Sequence, residues 1–259
     1  MSLIEPLENK IKELISLYDK KKFDELLKIS NELLDNFPNS ILIQNIQGVV
    51  HTELKNYRLA KNIFIKIVNL NPKYTDGYYN LANIFIKLDE EEKAIKNYNK
   101  VIELDENYFK AHNNLGNIYR RKGLNKKAIE CYLSTLEINS NYKVAYYNLA
   151  GALQFYKINV ENKNINKYLL YLLKEKIIVR PNSIAPNVLN SLFLNTDLKK
   201  ILSLVKNKIT NKDFNYILEN LQENSLLMQF MKVCPISNYY IERNFVNIRK
   251  KILNQTYKS

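Results

Sequence analysis

Asn80, Asn114 and Asn148 recur every 34 residues, each two positions ahead of a small residue (Ala82, Gly116, Ala150). A side-chain amide presents a donor and an acceptor together, so each could pair with both the N–H and the C=O of an extended backbone. Packed helices lie about 10 Å apart, and an extended chain advances about 10 Å in three residues. One asparagine per structural unit would then hold every third peptide bond without reading side chains. Asn83 and Asn117 follow the same step one residue after the small position, where Gly151 ends the series. The competing explanation is compositional: asparagine is about one residue in seven here, and polar helix surfaces would carry many.

Nothing in the chain is spaced for catalysis. His51, His112, Cys131 and Cys234 are too scattered for the close ligand pairs of a zinc site. With 5 glycines in all, a phosphate-cradling loop has no material, and neither a Gly-x-Ser-x-Gly elbow nor a metal-ligand motif occurs. The expectation is a non-enzyme without cofactor or metal. His51 and His112 read as packed helix residues. Cys131 reads as a packing residue or a surface thiol.

Composition bounds the rest. The 259 residues are 46% hydrophobic and 25% charged, ordinary for a globular protein with a core. Only 6 prolines accompany the glycines, too few turn residues for a β-rich fold. No apolar run is long enough to span a membrane, the N-terminus carries acids where a signal peptide would be basic, and two cysteines fit a reducing compartment. A cytoplasmic location is expected. The net charge of +13 raises the question of nucleic acid. It is largely lysine in an Asn-, Lys- and Ile-rich chain, the bias of an A+T-rich genome, and arginine, the better phosphate reader, is scarce. Solvated lysine faces are therefore expected rather than a nucleic-acid surface.

The elements that position the asparagines follow from the same period. Ala60, Ala94 and Ala128 are each followed four residues later by an aromatic, Phe64, Tyr98 and Tyr132. Gly48, Ala82, Gly116 and Ala150 form a second series in the same step, preceded by Leu81, Leu115 and Leu149, with Gln47 the exception. Each unit reads as two amphipathic helices of about a dozen residues. In Phe109–Tyr142, Leu115, Ile118 and Tyr119 form one stripe and Ala128, Ile129, Tyr132 and Leu136 the next, with Gly123 closing the first helix. One helix pair cannot bury its apolar face alone, so the units must stack.

These residues resemble the tetratricopeptide repeat family. Ile41–Tyr74, Thr75–Tyr108 and Phe109–Tyr142 fit its unit well. The resemblance implies an all-α, right-handed superhelical solenoid of antiparallel helix pairs. Residues 1–40 would form a divergent N-terminal capping repeat and residues 41–181 the array, its last unit (143–181) degenerate. An insertion of about seven residues is expected in the inter-helix turn of that last unit, within the polar stretch Asn159–Lys167. Residues 182–259 would form a helical C-terminal extension.

In this family the first helix of each unit lines a concave groove, so the resemblance implies ligand contacts there. Asn80, Asn83, Asn114, Asn117 and Asn148 fall on it, with Tyr79, Asn113 and Tyr147 pointing the same way. Lys87, Lys110, Arg120 and Arg121 on the same helices would favour an acidic peptide or a C-terminal carboxylate. The Asn80/Asn114/Asn148 series is similar to the asparagine ladder in the repeat arm of O-linked N-acetylglucosamine transferases. Asn83 and Asn114 match two places of the chaperone-binding clamp of the family, but its Lys and Arg places are empty. The first expectation is an interaction scaffold that binds a protein or peptide.

Beyond Pro181 the register is lost. Thr196-Asp197 would cap one helix, with others over Lys212–Leu221, Ser225–Lys232 and Asn238–Leu253. The stretch Leu226–Leu253 resembles a connector between a tetratricopeptide array and a methyltransferase-like domain in some bacterial proteins. The alternative function is therefore an accessory or substrate-recruiting segment of a transferase whose catalytic domain is absent from this chain. Apolar residues on the last helices could pair two chains, and the sequence leaves the oligomeric state open.

Overall fold

The computed structural model describes residues 4–156 and 163–174. Among them every regular element is a helix, as expected: α1 (Ile4–Asp19), α2 (Phe23–Asn36), α3 (Ile41–Glu53), α4 (Tyr57–Leu70), α5 (Thr75–Lys87), α6 (Glu91–Leu104), α7 (Phe109–Arg121), α8 (Asn125–Ile138), α9 (Lys143–Leu153) and α10 (Lys163–Lys174). The helices after Pro181 predicted from sequence lie outside the described residues, as does Cys234. Two compact units are present, the first ending at Ile118 and the second beginning at Tyr119.

The connections explain the 34-residue period more fully than the apolar stripes do. At the ends of α1, α3, α5 and α7, one residue takes the left-handed region: Lys21 (φ 56°), Lys55 (φ 60°), Asp89 (φ 56°) and Gly123 (φ 72°). The next N–H in each case reaches back five residues, Lys22 to Leu17, Asn56 to His51, Glu90 to Phe85 and Leu124 to Tyr119, at 2.8–2.9 Å. This is the Schellman closure, which satisfies carbonyls that the helix end would otherwise leave open. Only the last of the four positions is glycine. A second device recurs in the same step after α4, α6 and α8. Asn71, Asp105 and Asn139 accept, through their side-chain oxygens, the N–H two residues on (Lys73 at 3.0 Å, Asn107 at 3.0 Å, Asn141 at 3.1 Å). These side chains mimic a backbone turn and aim the chain into the next unit.

Packing in the first unit follows the small-plus-aromatic series. A Cβ added to Gly48 would stand 2.6 Å from Cζ of Phe64, so the glycine is what lets α3 and α4 close over that ring. Ala60, Phe64 and Ile67 are buried on α4, as are Leu81, Ala82, Ala94, Tyr98 and Val101 across α5 and α6. The first helix pair has lost the small residues, as its sequence suggests, and Leu14, Leu17 and Leu26 form a core with Ile43 and Val50 of α3. Two departures from the repeat pattern, one on α2 and one on α3, compensate one another. Ser30 stands where later units have Phe64, Tyr98 and Tyr132, and Gln47 stands where they have leucine. Both are buried, and Gln47 Nε2 donates to Ser30 Oγ at 2.9 Å and to Asn31 Oδ1 at 2.8 Å. A buried amide is tolerable because a buried hydroxyl faces it.

In the second unit, Ala128, Tyr132 and Leu136 of α8, Tyr146, Leu149 and Leu153 of α9, and Ile165, Tyr168, Leu169 and Leu172 of α10 make one core. Tyr146 stacks on Tyr171 at 4.1 Å between ring centroids. The sequence places an insertion through the polar stretch Asn159–Lys167. The structure corrects part of this: from Lys163 the stretch is helical and Ile165 is buried in the core. The apolar period of α10 outweighs the polar residues around it.

Candidate functional site

Within the first unit, the asparagines of α3, α5 and α7 meet in a polar network above the aromatic core. Tyr98 is buried at the ring, yet its hydroxyl donates to Asn83 Oδ1 at 2.5 Å. Asn114 Nδ2 lies 3.2 Å from Asn83 Oδ1, 3.2 Å from Tyr98 Oη and 3.3 Å from Tyr79 Oη. Its two N–H groups are therefore shared among three acceptors. The Asn114 carbonyl in turn accepts from Asn113 Nδ2 at 3.3 Å. Beside this network Tyr79 packs against Tyr108 and Tyr98, with ring centroids 5.0 and 6.0 Å away. Tyr108 donates to Asp76 at 2.8 Å. Burial, then the bonded Asp76 carboxylate, hold its phenol well above the usual range.

One turn along α5, Asn80 behaves differently. Its Nδ2 donates to Asn45 Oδ1 at 3.1 Å, and both side chains are half-buried. Among the described residues, nothing else bonds the Asn80 carbonyl or the Asn45 N–H groups. Asn83 accepts two bonds at its carbonyl and leaves its amide N–H groups uncommitted in the same sense. Asn80 and Asn83 stand three apart on one helix face. Two amides with open donors thus flank one with an open acceptor.

The other expected residues are placed unevenly. Asn113, expected to point toward a groove, is only 2% exposed, and this corrects the expectation: its neighbours on α7 carry it into the interior. Tyr79, expected on the same face, is half-buried in the aromatic cluster. Asn117 is half-buried and Lys110 exposed. In the second unit Tyr147 is 56% exposed, Asn148 is half-buried and Arg121 is exposed. Asn45 was missed because it stands 35 residues before Asn80, one off the period, which points to Ile46 instead. Tyr98 was read as core, which its ring is, and no sequence signal shows that its hydroxyl joins the amides.

Arg120, on the part of α7 that belongs to the second unit, lies against α9. Its Nη1 is 2.9 Å from where a Cβ on Gly151 would stand. It also hydrogen-bonds the hydroxyl of Tyr132, whose phenol burial pushes up to about 12 although the Arg120 charge opposes the rise. His112 packs its ring nitrogen Nε2 3.0 Å from the Glu106 carbonyl. His51 is half-buried, with desolvation lowering its pKa. Cys131 is half-buried, and burial pushes its thiol up to about 12. Among the described residues no three His, Cys, Asp or Glu side chains converge as a metal site requires. No described helix is long and apolar enough to cross a membrane.

Comparison with known proteins agrees with this architecture. Residues 82–123 match the family model described as TPR repeat, and residues 109–142 match the model described as Tetratricopeptide repeat. Two crystal structures of MamA resemble the chain in fold. One is 20% identical, with a TM-score of 0.51 over 71% of this chain and 95% of MamA. The other is 19% identical, with a TM-score of 0.54 over 78% and 96%. YrrB, described as a TPR protein with an unusual peptide-binding site, is 16% identical with a TM-score of 0.48 over 86% of this chain and 90% of YrrB. No protein of curated function matches the sequence.

Proposed function

We propose that this chain, a protein built of tetratricopeptide repeats, is an interaction scaffold that holds an extended segment of another polypeptide by its backbone. The hold is centred on Asn45, Asn80 and Asn83. The observation that carries this is the division of labour among the asparagines. Asn114 spends its N–H groups inside the protein, whereas the Asn45–Asn80 contact leaves an open carbonyl beside open N–H groups. An extended backbone presents the complementary pair, and side-chain amides satisfy both without selecting a sequence.

Lys87 and Lys110 are exposed near these amides in sequence and have no carboxylate partner among the described residues. They favour a peptide that carries acidic residues. Tyr147, Asn148 and Arg121 keep their place in the set by sequence register alone, on the second unit. Asn113, being buried, and Asn114 serve to hold the amide network in place. The methyltransferase-connector resemblance lies on Leu226–Leu253, outside the described residues, and the geometry gives no support to the transferase alternative.

The test is binding of the purified chain to a library of unstructured peptides, alongside an Asn45→Ala/Asn80→Ala double variant. Affinity for the selected peptides is expected to fall about tenfold, the scale of one to two lost hydrogen bonds, with helicity by circular dichroism unchanged. Binding that survives the double substitution intact would show that these amides are surface composition and no grip.

A further inference from the structure

The side of α5 turned away from the asparagines carries a different kind of surface. Helical residues advance by about 100° each, so Tyr78, Leu81 and Phe85 lie about 160° around α5 from Asn80 and Asn83. These three line a cleft of about 640 Å³ between α5 and α6, within the range of about 300–1,000 Å³ that small-molecule sites occupy. Leu81 and Phe85 are buried and form its apolar floor, with half-buried Tyr78 one turn before Leu81. The α6 wall carries Lys93, Lys96 and Lys100. The outer two are already paired. Lys93 meets Glu90 and lies 5.5 Å from the centre of the Phe85 ring, and Lys100 meets Glu103 at 2.6 Å. Lys96, between them, is exposed, and neither its ammonium nor the Tyr78 hydroxyl has a hydrogen-bond or ion-pair partner among the described residues. Lys96 and Lys100 stand four apart, a like-charge spacing that costs a helix stability and that a bound anion would relieve.

We infer that this cleft is a binding site for a small aromatic acid, its rings on the Leu81 and Phe85 floor and its anionic group at Lys96 and the Tyr78 hydroxyl. The lining sets each part of that chemistry. Two of the three α5 side chains are aromatic, and aromatic surfaces favour a ring over an alkyl chain. One unneutralised ammonium matches one negative charge, and a charge-assisted hydrogen bond is about twice as strong as a neutral one. A merely solvated lysine face would carry the charge without the apolar concavity beside it. The site stands apart from the scaffold function proposed above: it lies wholly within the first unit and across α5 from the asparagines, so either reading can fail without the other.

The experiment titrates sodium 2-naphthoate into the full chain at constant ionic strength, following naphthoate fluorescence and the backbone amide resonances by NMR. Binding should saturate with a Kd below about 1 mM, and the shifts should fall on α5 and α6. Lys96→Gln should weaken it about tenfold and Tyr78→Phe about threefold. The first changes an exposed side chain and the second keeps its ring, so both variants should fold. Lys28→Gln removes the same charge from an exposed position on α2 and should cost under about twofold. Uncharged 2-naphthamide should bind the native chain about tenfold more weakly than naphthoate, and Lys96→Gln should lose most of that preference. Sodium octanoate, which has the charge without the rings, should bind about fivefold more weakly. The inference is overturned by titrations that do not saturate, by equal losses in Lys96→Gln and Lys28→Gln, or by octanoate matching naphthoate. Displacement of naphthoate by peptides selected from the library would also overturn it, because the cleft would then belong to the peptide site. Naphthoate binding that peptides leave undisturbed is the expected result.

Discussion

Asn80 and Asn114 occupy the same register one repeat apart, so replacing each by alanine gives a paired measurement. Alanine raises intrinsic helix propensity by about 0.6 kcal/mol at either site, and this gain cancels in the comparison. What remains is the hydrogen bonding. Asn114 gives two N–H bonds to acceptors 3.2–3.3 Å away and accepts one from the buried Asn113 amide. At about 1 kcal/mol net for each bond in a partly buried setting, its removal costs about 2–3 kcal/mol before the helix gain. Asn80 gives one bond at 3.1 Å between half-exposed groups, where water replaces what is lost, so about 0.5 kcal/mol is at stake. Asn114→Ala should therefore be less stable than Asn80→Ala by about 2 kcal/mol, more than tenfold in the unfolding constant. Urea unfolding followed by circular dichroism measures the difference. Amide exchange in α5 and α7 localises it, which matters because repeat arrays open unit by unit. Equal losses, or a larger loss at Asn80, would refute the division between a structural and a free asparagine on which the proposed function depends.

Three further outcomes follow from the turns and from the thiol. Lys55→Gly relieves a left-handed residue at φ 60° and should stabilise the chain by about 0.5 kcal/mol. Gly123→Ala meets nothing within 4 Å and should cost about 1 kcal/mol purely through the backbone; urea midpoints that move the opposite way would contradict the shared Schellman geometry. Cys131, its thiol pushed up to about 12 by burial, stays protonated at pH 8. In a Cys234→Ser background it should react with a disulfide reagent about a thousandfold more slowly than a free thiol and accelerate only as pH rises toward that value. Reaction at the free-thiol rate would show that the site opens.

The fold was legible because repetition gives the same apolar positions several chances to be seen. Ala60, Ala94 and Ala128 with their aromatics marked the helix pairs, and Gly123 marked a helix end. The three non-glycine ends at Lys21, Lys55 and Asp89 were not legible. Lysine and aspartate advertise no left-handed preference strong enough to read, and the closing hydrogen bonds around them impose it. The exceptions were equally opaque. Gln47 alone looks like a broken leucine slot, and only contact with Ser30, 17 residues earlier, shows that it is satisfied.

By itself the sequence determined the helical-repeat fold, its 34-residue step and the face on which the asparagines gather, because helix periodicity and repeat length are local properties of the chain. Which asparagines are free was decided by tertiary structure. Asn45 reaches Asn80 across a 35-residue separation, Tyr98 turns its hydroxyl toward Asn83 and Asn114, and Arg120 settles over Gly151. An amide's capacity to bind a partner is what remains after its neighbours have taken their share, and those neighbours meet only when the helices pack.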